Sequence, residues 1–199
     1  MNLFDGYHHV PDGKVAAVVT SLEMLAPAAA RPERAEEPAE LSRVARPEPG
    51  WYRDLFLRIG APWLWHSRLA LTRDQLAAIL QHPDNEVYAL ALGGRQEGLL
   101  ELDFRVEGEC ELAFFGVTDQ LQGLGAGRWL MNRAIERAWA RPIRRFWVHT
   151  CTLDHPAALT FYLRSGFQAY ARQVEVFDDP RLGGLLPITA AAHIPLIRP

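Results

Sequence analysis

Apolar positions first gather at Val15 to Leu25, VAAVVTSLEML, where β-branched side chains dominate, and such a run suits a strand. The pattern then dissolves. Residues 26–50 are rich in Pro, Ala, Glu and Arg without apolar periodicity, which predicts a long loop with room for a short helical turn around Glu36 to Val44. From Trp51 the spacing becomes helical, with Trp51, Leu55 and Ile59 beside Tyr52 and Phe56, up to Gly60. Thr72 and Gln75 form a capping-box pair that opens a second helix with Leu76, Ile79 and Leu80 on one face, stopping before Pro83. Three strand-like runs follow, Glu86 to Leu92, Gly98 to Val106 and Cys110 to Thr118, divided by the turn segments GGRQE and EGE. Gly125 to Arg141 then reads as a long helix, because Leu130, Ala134 and Ala138 lie beside Met131, Ile135 and Trp139. Arg145 to Thr152 predicts a strand, Pro156 to Ser165 a helix and Gln168 to Phe177 a last strand, while the 180–199 tail is punctuated by Gly and Pro. The order β-α-α-β-β-β-α-β-α-β implies an α/β fold with a mixed sheet and helices on its faces.

Composition narrows the picture in a few places. The 199 residues fit one domain, so residues 1–199 are read as a single unit. Charged residues at 23% and a formal charge of −3 leave no basic footprint for duplex nucleic acid. Cys110 and Cys151 form no C-x-x-C pair and no disulfide framework, so no metal is expected. No stretch is apolar enough for a membrane span, and Met1 to His9 lacks the order of a signal peptide. A cytoplasmic location is the expectation.

The sharpest local signal is VTDQLQGLGAGRWL, Val117 to Leu130, where a strand runs through glycines straight into a helix. Glycines let the backbone approach a bulky anion, and the helix start offers unpaired N–H groups at the positive end of its dipole. A dinucleotide fingerprint is excluded because Arg128 stands where its third glycine belongs, and a P-loop is excluded because no lysine is present in the loop. A turn with only a packing role is the alternative.

These residues resemble the GNAT superfamily of acetyl-CoA-dependent N-acyltransferases. Its acyl-CoA loop places Gln or Arg three residues before a Gly and five before a Gly or Ala, as Gln122, Gly125 and Gly127 do, with Arg128 and Leu130 following. The family's second pattern is similar to HPAALTFYLRSGF, His155 to Phe167, where Ala158, Phe161, Tyr162, Gly166 and Phe167 match and His155 replaces the usual asparagine. The resemblance implies the GNAT fold with a mostly antiparallel mixed sheet, acetyl-CoA as cosubstrate and an amine of a small molecule or peptide as acceptor. It implies that main-chain groups of Phe115 and Val117 pair with the pantetheine arm while Gln122, Gly123, Leu124, Gly125, Ala126, Gly127 and Arg128 wrap the pyrophosphate, with His155 and Ala158 nearby. Neither nucleic acid nor membrane is implied as a partner, and a homodimer is left open. A regulatory module that binds acyl-CoA without turnover, or an enzyme using another acyl chain, would carry the same loop.

Acyl transfer to an amine poses two proton problems. An alkyl ammonium with a pKa of about 10.4 is neutral only about one part in a thousand near neutral pH, so a base near the acceptor helps. The departing thiolate gains from an O–H donor. Tyr162 holds the family's tyrosine position and is the candidate donor, its alternative being a packed aromatic. Glu111, six residues before Val117, is the candidate base, and strand alternation would put Glu111, Ala113, Phe115 and Val117 on one face. Glu101 and Asp103 share a face of the preceding strand, where they would attract a cation or, in the favoured reading, line an exposed surface. His149 is a second candidate base or a hydrogen-bonded structural histidine, and Cys151 reads as an inert buried thiol. Trp51, Trp63 and Trp65 would wall an acceptor pocket or serve the core.

Overall fold

The computed structural model describes residues 4–33 and 40–199. One seven-stranded sheet organises them, in the order β2-β3-β4-β5-β6-β1-β7. The strands are β1 (Lys14–Met24), β2 (Glu40–Arg43), β3 (Asn85–Leu92), β4 (Arg95–Asp103), β5 (Glu109–Val117), β6 (Arg145–Cys151) and β7 (Gln168–Asp178). Four helices accompany them: α1 (Pro49–Gly60), α2 (Arg73–Leu80), α3 (Ala126–Trp139) and α4 (Ala158–Arg164). The mixed sheet flanked by helices is the architecture that the pattern of elements implies. Thr72 caps α2 as expected, its hydroxyl accepting from the Gln75 amide while the Gln75 side chain accepts from the Thr72 amide.

The helical turn expected around Glu36 to Val44 does not form where it can be judged. Glu40–Arg43 is instead the edge strand β2, paired with Tyr88 to Ala91, and residues 36–39 lie outside the described ones. Lying beside β3, these four residues gain a ladder of backbone bonds that their own sequence does not advertise.

Helices cover both faces, which explains why β3 reads as a nearly continuous apolar run and why β4 is buried from Glu97 to Asp103 despite its three carboxylates. On one face Tyr52, Leu55, Phe56, Leu76 and Leu80 of α1 and α2 pack on Val87 and Leu99. On the other, Leu130, Met131, Ala134, Ile135 and Ala138 of α3 meet Tyr88, Leu90, Leu100, Leu102 and Phe146. Each of the leucine, isoleucine, methionine and phenylalanine side chains among them, fully buried, is worth about 1.5–3 kcal/mol. The tail is also folded: the buried Arg181 pairs with Asp179 at 2.6 Å and donates to the carbonyls of Ala190 and Ile194, seating Leu186 and Ala191 against Val15 and Leu64.

Two departures from regular pairing shape the middle of the sheet. Between β4 and β5 the register steps from Glu101↔Phe114 to Leu102↔Leu112, leaving Ala113 as an extra residue. This bulge reverses the alternation. Phe115 and Val117 therefore join Cys110 and Leu112 on the α3 face, whereas Phe114 packs with α1. Gly116 lies on the α1 face as well, where a Cβ would stand 2.5 Å from the Ile59 side chain. Glu111 thus does not share a face with Phe115 and Val117, contrary to simple alternation. The second departure is a splay: β5 and β6 run parallel and pair only from Glu109↔Arg145 to Glu111↔Trp147.

Candidate active site

Beyond Glu111 and Trp147 the two strands separate, and a cleft of about 870 Å³ opens between them. One end is the glycine loop. Gly123 and Gly125 have φ of 74° and 93°, values that a side chain tolerates poorly, and Gly125 caps α3 in the left-handed conformation. A Cβ on Gly127 would meet nothing within 4 Å, so the first turn of α3 faces open space. Gln122, Gly123, Gly125, Gly127 and Arg128 line the cleft. The Leu124 side chain is exposed and that of Ala126 is buried under the loop, so neither side chain lines it.

Tyr162, Phe115, Val117, Ala158 and His155 line the middle. Tyr162 is 8% exposed and packs against Phe115, Phe161 and Phe167. Burial, with the Asp154 carboxylate adding, holds its phenol well above the ordinary tyrosine range, so it stays protonated at neutral pH. His155 accepts from the Ala157 amide at 3.1 Å and stands edge-on to the Trp63 ring.

At the far end Glu111 and His149 come together, Oε1 to Nδ1 at 3.6 Å, longer than a hydrogen bond. The two candidate bases therefore occupy one place. His149 is about half exposed and makes no hydrogen bond from its ring among the described residues, so it is not a hydrogen-bonded structural histidine. Burial pushes the Glu111 carboxyl up to about 7, and the carboxylates of Asp103 and Glu101 add to the rise. The register explains the first of these, since Asp103 stands directly across from Glu111 on β4.

Glu101 and Asp103 are not on an exposed face. Glu101 is fully buried, paired with Arg68 at 2.6 Å and accepting from the Tyr52 hydroxyl. Asp103 is nearly buried, and although burial raises its carboxyl, hydrogen bonds from Arg105 outweigh that and hold it below the usual range. Buried carboxylates need such partners. Trp63 and Trp65 line the cleft; Trp51 does not, its indole instead donating to Gln96. Burial raises the Cys151 thiol to about 11, which makes it a poor nucleophile at neutral pH. Among the described residues no cluster of His, Cys, Asp or Glu suits a metal, and no helix is long and apolar enough to cross a membrane.

Among the cleft residues that sequence reasoning missed are Arg31, Arg68, Asp154 and Arg164. Arg31, Arg68 and Asp154 lie outside both sequence patterns, and Arg164 fills an unspecified position inside His155 to Phe167. Arg68 announces itself only through the buried carboxylate it serves, which is 33 positions away.

Comparison with known proteins agrees with this geometry. The model of the acetyltransferase (GNAT) family matches residues 50–167. No curated protein matches the sequence. Among solved structures, a functionally unknown conserved protein from Staphylococcus epidermidis ATCC 12228 superposes with a TM-score of 0.55 at 13% identity, over 84% of this chain and 63% of that one. This chain thus spans less than two thirds of that protein. An IAA acetyltransferase from Bacillus cereus ATCC 14579 gives 0.52 at 22% identity, over 67% of this chain and 79% of that one. A GNAT family acetyltransferase from Elizabethkingia anophelis with acetyl-CoA bound gives 0.53 at 17% identity, over 68% and 80%. At such identities the structures speak for the fold, and the match over residues 50–167 speaks for descent: the chain belongs to the GNAT family of acetyltransferases.

Proposed function

We propose that the protein transfers the acetyl group of acetyl-CoA to an amine of a small molecule or peptide, by direct attack and without a covalent enzyme intermediate. The observation that carries this reading is one cleft that joins the glycine loop, the protonated Tyr162 and the half-ionised Glu111. The open first turn of α3 suits the pyrophosphate, and the unpaired edge of β5 at Phe115 and Val117 suits the pantetheine arm. The thioester then lies between Tyr162 and Glu111.

Protons balance as follows. Glu111, with His149 beside it, takes one proton from the acceptor ammonium and passes it to solvent. The neutral nitrogen attacks the thioester carbonyl, the C–S bond breaks, and Tyr162 gives its proton to the departing sulfur. Tyr162 recovers a proton from the nitrogen that has become an amide. The unreactive thiol of Cys151 supports the absence of an acyl-enzyme step. The test is thiol release from acetyl-CoA across a panel of amines, with mass spectrometry of the acceptor. Tight acetyl-CoA binding without release for any amine would overturn the catalytic reading.

A further inference from the structure

The glycine loop already offers the main-chain donors that a diphosphate needs, yet more positive charge is gathered at the same end of the cleft. Arg31 follows β1, Arg128 stands in the first turn of α3 and Arg164 in the last turn of α4, and all three line the cleft. Among the described residues none of the three is ion-paired. The acidic residue nearest in sequence to Arg31, Glu33, is already taken by Arg133 at 3.0 Å and by the Asn132 amide at 2.7 Å.

Arg31 is also fixed in place. Asn132, 4% exposed, accepts from the Arg31 backbone amide at 3.0 Å and donates to its carbonyl at 2.8 Å. Arg128 turns outward from the helix start to donate to the Pro32 carbonyl at 2.9 Å, which brings it to the same segment. The Arg31 guanidinium lies 6.0 Å from the centre of the Phe161 ring and reaches Ser165 Oγ at 3.5 Å, beside Arg164. Burial and the neighbouring charges of Arg128 and Arg164 disfavour its cationic form. Holding like charges together costs energy that an anion of high charge density repays, and guanidinium groups match phosphate geometry.

We propose that Arg31, Arg128 and Arg164 form a second phosphate site, one that holds the 3′-phosphate of the CoA nucleotide and makes the protein discriminate CoA from its 3′-dephospho form. The proposal rests on the acyl-CoA reading above. It adds to that reading a specificity device supplied by a segment far from the glycine loop in sequence.

The experiment is calorimetry of acetyl-CoA and acetyl-3′-dephospho-CoA at low salt, with the native chain and with Arg31→Ala. The substitution leaves the backbone bonds to Asn132 in place. The native chain should bind acetyl-CoA at least about tenfold more tightly than the dephospho form, the size expected for charge-assisted hydrogen bonds. Arg31→Ala should bring the two within about threefold by weakening acetyl-CoA alone, and Arg31→Lys should keep part of the preference. Equal affinities in the native chain, or an equal loss of both ligands in Arg31→Ala, would overturn the second site while leaving the acyl-CoA reading intact. Failure of the native chain to bind either ligand would overturn both.

Discussion

The Trp65 indole Nε1 donates to the Asp154 carboxylate at 3.0 Å, and this bond joins the two sides of the cleft. Trp65 packs on Phe114 of β5, with Gly116 leaving room for its ring, whereas Asp154 follows β6 and also accepts from Thr150 Oγ1 and the Cys151 amide. The strands that part at Glu111 are thus tied again below the opening. Asp154→Ala would strip an acceptor from three donors and should destabilise the protein by about 2–3 kcal/mol in urea unfolding. Asp154→Asn keeps one acceptor oxygen and should cost about half as much. A cost near zero for Asp154→Ala would mean that the two sides are held by packing alone.

Glu111 makes two pH dependences coincide. Its carboxyl titrates near 7 in the folded chain against 4.5 ordinarily, so between those values the folded state keeps a proton that the unfolded state has lost. The group's contribution to stability is fully present below that window and is lost as pH rises through it. Asp103 and Asp179, both held below the ordinary carboxylate range, act lower on the scale and leave the window to Glu111. Unfolding free energy should therefore fall from about pH 4.5 to about pH 7 in the native chain, and Glu111→Gln should flatten that fall. The acidic limb of kcat/KM, with its midpoint near 7, should vanish in the same variant. If both profiles survive in Glu111→Gln and the limb is lost in His149→Ala, the histidine is the base.

For Tyr162, removal of the hydroxyl should leave packing against Phe115, Phe161 and Phe167 almost unchanged. Tyr162→Phe should lower kcat about 10–100-fold, while calorimetry finds the same affinity for acetyl-CoA. An unaltered kcat would return Tyr162 to a purely packing role.

Within the glycine loop the informative position is Gly127 rather than Gly125. A side chain at Gly125 would meet a left-handed backbone and strain the fold, whereas Gly127 is helical with open space around it. Gly127→Glu should abolish acetyl-CoA binding through bulk and charge, with an unfolding midpoint close to the native one. Retained binding would remove the first turn of α3 from the phosphate site.

What the sequence revealed divides along one physical line, the range of the interactions involved. The glycine loop, the α2 capping box and the apolar stripes of α3 depend on neighbours a few residues away, and each was legible. β2 was not, because ELSR has no apolar alternation and becomes a strand only through pairing with β3. Nothing at Ala113 marks a bulge, since a bulge is a property of two strands, and without it Glu111 was assigned the face of Phe115. Glu101 looked like a surface carboxylate for the same reason: Arg68 and Tyr52, which make its burial tolerable, come from the helical region before β3.

The place of β1 between β6 and β7 has a consequence for the chain as it is made. Val19 pairs with Cys151 on one side and Gln173 on the other, so β1 is completed only by strands made long after it. At usual elongation rates that interval is on the order of ten seconds. Until β6 is made both backbone edges of this 11-residue, β-branched segment stay open, and one stays open until β7 is made; a segment of this kind recruits other strands. β6, which walls the cleft, lies between β5 and β1, and β7 joins the sheet only through the other edge of β1. Nascent chains of this protein should therefore occupy a chaperone until β7 emerges, and release should come in one step rather than gradually.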